Sequence, residues 1–135
     1  MTTQNLQQQI PEGWPGSLPE YLVYRSLTEE FNKTEGTDFS YQSSLLGGRL
    51  FKGGAVLDFY FYNPPDLAIN VQGEYYHYGM GLIPIQNDRL IRAQMAGEGI
   101  TLIFIDESDI LNNVDHFVEE ALNYKDHSRL GSGGR

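Results

Sequence analysis

The chain has no cysteine, which excludes disulfide bonds and thiolate metal sites and permits a reducing compartment. Basic residues are scarce. Nine Lys and Arg stand against eighteen Asp and Glu, a formal charge of −9. Non-specific affinity for DNA comes largely from Lys and Arg neutralising phosphates, so this balance argues against a general nucleic-acid coat. It leaves local clusters at Arg49 with Lys52, at Arg89 with Arg92, and at Lys125 with Arg129 and Arg135. No apolar run approaches the roughly 20 residues of a membrane span. The opening MTTQNLQQQ has neither the basic region nor the apolar core of a secretory signal. The expectation is a protein with no membrane partner, cytoplasmic or packaged in a particle.

What is present suits a folded domain: 135 residues, 40% hydrophobic and 13% aromatic, enough for one core and too few for two ordinary ones. Residues 1–16 read as a polar arm with Trp14 as its anchor, 17–124 as the domain and 125–135 as a flexible tail. Ser17-Leu18-Pro19-Glu20 is a helix start with a Ser cap and Glu three residues on. Leu22, Val23, Leu27 and Phe31 then recur at helical spacing. Phe39 to Leu46 reads as a strand, Gly47-Gly48-Arg49 as a bend, and Ala55 to Tyr62 as a second strand. Asn63-Pro64-Pro65-Asp66 is a turn. Leu67 to Gln72 reads as a third strand, Gln86 to Ala96 as a helix, and Thr101 to Ile105 as a strand buried on both faces. Val114, Phe117, Val118, Ala121 and Leu122 mark a last amphipathic helix. The order αβββαβα predicts an α/β fold, a mixed sheet flanked by helices, with a parallel pair around the second helix.

Strand alternation directs attention to Asp58. Val56, Asp58 and Tyr60 are expected on one face, and Leu57, Phe59 and Phe61 on the other. In the next strand Ala68, Asn70 and Gln72 share a face, so an acid lies beside a polar strip. A carboxylate among apolar neighbours needs pairing, hydrogen bonds or a metal; an Asp held by backbone amides is the structural alternative. Glu20 has a second reading besides its capping role, as an acid facing a metal. The acidic run from Asp106 to Asp109 reads as a cap for the last helix. Asp88 and Arg92 stand at a spacing that permits an ion pair on one helix.

Asp58, then Ala68-Ile69-Asn70-Val71-Gln72-Gly73-Glu74-Tyr75-Tyr76-His77, then a helix with Asp88 and Arg92, resembles the PD-(D/E)XK nuclease superfamily. The likeness is greatest to the very short patch repair (Vsr-like) endonucleases, and covers about Ser17 to Ile110. The superfamily's usual acid and lysine are replaced by Asn70 and Gln72, as the Vsr-like branch also lacks them. The resemblance implies a restriction-endonuclease-like αβββαβ core and Mg²⁺-dependent (or Mn²⁺-dependent) DNA cleavage. Asp58 and the Val71 carbonyl would hold the metal, and His77 would be the general base. Gln72 would orient water or phosphate, and Glu20 would face the metal. Tyr75, Tyr76, Arg89 and Arg92 would meet the DNA. The chain also resembles proteins encoded by tailed phages. The alternative is therefore a nuclease-like fold with decayed chemistry, serving as a phage structural or protein-interaction component in the host cytoplasm or virion.

Overall fold

The structure, a computed structural model, describes residues 10–41, 49–50, 56–73 and 82–129, with side chains at all of these except 49–50, 56 and 82–88. Helix α1 (Leu18–Arg25) starts as its first residues require. Ser17 Oγ accepts from the Glu20 N–H at 3.3 Å and Glu20 Oε1 accepts from the Ser17 N–H at 3.2 Å, which satisfies two amides that the helix leaves unbonded. Its last turn widens into a π-helical segment, Ser26–Glu30. Leu18, Leu22, Val23 and Leu27 form the buried face.

The main sheet contains β1 (Phe39–Tyr41), β4 (Phe59–Phe61), β5 (Leu67–Gln72) and β6 (Thr101–Asp106), in the order β1-β4-β5-β6. The first three are antiparallel neighbours, and β5 and β6 run parallel. Between β1 and β4, the two short strands β2 (Arg49–Leu50) and β3 (Val56–Leu57) pair antiparallel as a separate ribbon. Helix α2 (Leu82–Gly97) connects β5 to β6, and α3 (Glu107–Leu122) follows β6 directly. One core, with Phe39, Phe59, Phe61, Ile69, Ile103 and Ile105, packs on α1 and α3. A smaller one, with Ala68, Leu102, Phe104, Met95 and Ile100, packs under α2. Full burial of a large apolar side chain such as Phe59 contributes about 1.5–3 kcal/mol. The α/β class and the mixed, helix-flanked sheet are as the sequence predicts. No helix among the described residues is long and apolar enough to cross a membrane.

Three local expectations need correction. The strand expected over 55–62 breaks at Asp58, a bend between β3 and β4. Leu57 belongs to the core under α2, whereas Phe59 and Phe61 belong to the other, so these three do not share a face. The second helix begins at Leu82 and not at Gln86; Pro84 falls in its first turn, where no intrahelical N–H bond is needed. The last helix is kinked at Asn113 (φ −160°, ψ 77°). There Asn113 Oδ1 accepts from the His116 N–H at 3.3 Å, recapping the helix after the break.

Candidate functional site at the carboxyl ends of β5 and β6

Asp58 bends the chain, and its bonds fill the gap in the ladder. Its N–H donates to Asn70 Oδ1 at 2.8 Å, and its Oδ2 accepts from the Val71 N–H at 2.8 Å. Each side chain thus takes a backbone amide of the facing strand, and a half-buried carboxylate is fixed against β5. Two side chain–backbone bonds thus stand at the bend where ladder bonds would otherwise run.

The rest of the site follows from alternation. Ala68 lies in the core under α2, so Asn70 and Gln72 continue on that face. Leu102 and Phe104 do the same on β6, and Asp106 is next in line. Gln72 is the register partner of Asp106, and Asn70 of Phe104. Gln72 is 1% exposed and Asp106 4%. A polar row, Asp58, Asn70, Gln72 and Asp106, therefore crosses the carboxyl ends of the parallel pair, where ligands bind in open α/β sheets. Asp106 departs from its expected capping role. It holds the N-cap position of α3 without a side-chain cap bond, and its Oδ2 accepts from the Arg129 N–H at 3.1 Å. The available signal was an apolar parallel strand, Thr101 to Ile105, ending in a carboxylate.

Glu20 is engaged by both Ser17 and β1. Its Oε1 accepts from the Ser17 N–H and, at 2.6 Å, from the Tyr41 hydroxyl. Tyr41 is the register partner of Phe59, which follows Asp58. Trp14 packs as an anchor: its ring stacks on Tyr41 at 4.9 Å and its Nε1 donates to the Ser17 carbonyl at 3.1 Å. The chain passes so closely here that a Cβ at Gly16 would collide with the Tyr41 hydroxyl and Glu20 Oε1. Glu20 thus helps to seat the arm on β1.

The arginines diverge. Arg89 is exposed on α2. The Arg92 guanidinium lies 5.9 Å from the Phe104 ring centroid and 3.8 Å from Asp126 Oδ2, beyond β6. Tyr75, Tyr76, Glu74, His77 and the Asp88 side chain lie outside the described residues. Among the described residues, no group of three His, Asp or Glu side chains is placed to hold a metal ion. A groove of about 300 Å³ between the π-helical turn and α3 is lined by Leu22, Arg25, Ser26, Glu29, Val114 and Asp115, away from the polar row. The chain matches no family model, no curated protein and no solved structure.

Proposed function

We propose that the protein hydrolyses DNA phosphodiester bonds with Mg²⁺ or Mn²⁺, and that Asp58 is its metal ligand. The observation that carries this reading is the bend at Asp58, where the carboxylate is fixed against the Val71 N–H and the backbone N–H is held by the Asn70 amide. The two donors, a carboxylate and the Val71 carbonyl, are both hard oxygens. They suit Mg²⁺, which is held by one or two carboxylates and keeps several waters. Held by Asp58 and the Val71 carbonyl, such an ion would supply charge stabilisation at the scissile phosphate. His77 takes a proton from the attacking water, Gln72 orients water or phosphate, and Glu20 holds Tyr41 beside the bend at Asp58. Arg89, Arg92, Tyr75 and Tyr76 bear on the DNA.

The test is cleavage of supercoiled plasmid in Mg²⁺ or Mn²⁺, beside Asp58→Ala and His77→Ala. Both variants should lose activity, His77→Ala by about 10²–10⁴-fold, as for a positioned general base. Cleavage that survives Asp58→Ala refutes the site.

A second reading has its own observation. Asn70 stands where the superfamily has an acid, and its oxygen is engaged by the Asp58 N–H; the charge of −9 also disfavours DNA. It makes the protein a nuclease-like scaffold, a phage structural or protein-interaction component. A folded protein that cuts no DNA with either metal would support it.

A further inference from the structure

Helix α1 and the π-helical segment Ser26–Glu30 form one run, and its end is charged against its own dipole. The carboxyl end of a helix carries a partial negative charge, which favours cations and disfavours acids in the last turn. Here that turn holds Glu29 and Glu30, both exposed, and no basic residue. Asp115, on α3, adds a third carboxylate from across the groove. Its Oδ1 accepts from the Ser26 hydroxyl at 2.7 Å, and Ser26 is buried. A short charge-assisted bond thus holds this carboxylate at the groove. Among the described residues no Lys or Arg forms an ion pair with any of the three. Arg25, which also lines the groove, has its guanidinium over the Tyr21 ring at 5.7 Å.

The groove comes from two breaks in regular helix. The π-helical segment widens its turn, with the Phe31 N–H bonding to the Ser26 carbonyl at 3.1 Å. α3 kinks at Asn113, immediately before Val114 and Asp115. Leu22, buried, and Val114, half-buried, supply the apolar side. A volume of about 300 Å³ is at the bottom of the range for ligand clefts, roughly 300–1,000 Å³. It suits one long side chain and not a dinucleotide-sized cofactor. Acids set against a helix dipole break a local rule, and such breaks collect where a protein binds something.

We propose that this groove is a docking site for an arginine side chain of a basic polypeptide segment. The methylene stem lies along Leu22 and Val114, as such stems cover apolar surface. The guanidinium meets the carboxylates of Glu29, Glu30 and Asp115, whose paired oxygens its fork of donors matches. Its charge also offsets the partial charge at the helix end. A net −9 steers a basic partner to the molecule. The groove lies away from the polar row, so docking there is independent of nuclease activity.

The test uses the full chain, isotope-labelled for amide resonances, and the peptide acetyl-Gly-Arg-Gly-amide. Its counterpart with citrulline in place of arginine has nearly the same shape and no charge. The arginine peptide should shift the amides of Ser26, Glu29, Glu30, Val114 and Asp115 along saturable curves, and the citrulline peptide should not. Glu29→Gln combined with Glu30→Gln should weaken binding about three- to tenfold, the scale of two exposed ion pairs. Glu119→Gln, at an exposed acid of α3 outside the groove, should leave it unchanged. The double variant should melt at or above the parental temperature, because it removes acids from a helix end that disfavours them. Equal shifts from both peptides, or an affinity indifferent to Glu29 and Glu30, overturn the docking site. Putrescine binding as tightly as the arginine peptide overturns the polypeptide partner and makes the groove a site for free amines.

Discussion

At the residue scale, Asp58 has a structural and a chemical role that substitution can separate. Asparagine can still accept from the Val71 N–H, so Asp58→Asn should remain within about 1 kcal/mol of parental stability. Alanine leaves a half-buried amide without its partner and should be about 1–3 kcal/mol less stable. Both remove the negative charge that the proposed metal requires. Urea melts with plasmid cleavage check this; an active Asp58→Asn protein would separate the carboxylate from catalysis. Tyr24 gives a prediction in pH. Burial, then the hydrogen bond to Glu35 at 2.8 Å, then the charge of Glu35 push its hydroxyl from 10.0 up to about 12. The folded value lies above the unfolded one, so the stabilisation is full below pH 10 and is lost as pH rises through about 12. Tyr24→Phe should therefore flatten this part of the alkaline fall, seen as a smaller gap between variant and parent melts at pH 11 than at pH 8.

At the element scale, the sequence is most legible where one periodicity governs a whole element. β5, β6, α1 and α3 lie where alternation, an unbroken apolar run or helical spacing puts them, and Ser17 with Glu20 marks the first helix start to the residue. It is least legible where a side chain replaces a backbone bond. Val56-Leu57-Asp58-Phe59-Tyr60-Phe61 alternates like one strand, and only the Asn70 and Val71 bonds across the sheet show that Asp58 interrupts it. Asp58 is therefore legible as an acid among apolar neighbours, whereas the faces around it are not. Asp106 shows the same limit, because local spacing reads it as a cap and its carboxylate accepts from the Arg129 N–H, 23 residues away. Residues 125–129 likewise lie in a segment whose composition reads as a tail, yet Asp126 accepts from the Phe104 N–H and the Arg129 N–H donates to Asp106. The α3 kink permits a direct check. Asn113 caps the second half of the helix through His116, so Asn113→Ala should lower stability by about 1 kcal/mol, within the range for lost N-caps. Chemical denaturation reads this; an unchanged midpoint would show that the cap contributes nothing.

At the scale of the whole molecule, charge and site have to be reconciled. A net −9 repels a polyanion, and the structure commits part of the small basic complement internally. Arg92 lies over Phe104 and beside Asp126, which leaves the exposed Arg89 the better placed of the two to meet phosphate. A DNA-bound state built from so few cations has a shallow salt dependence, because each neutralised phosphate contributes about −0.9 to the slope of log K against log salt. For duplex binding measured with Ca²⁺ in place of Mg²⁺, the expected slope is about −2 to −3, corresponding to two or three contacts. Arg89→Ala should make it shallower by about one contact and weaken binding at low salt, with little effect on stability, since the side chain is exposed. A parental slope steeper than about −6 would require a basic face far larger than these arginines provide. A slope unchanged by Arg89→Ala would place the DNA on another surface of the domain.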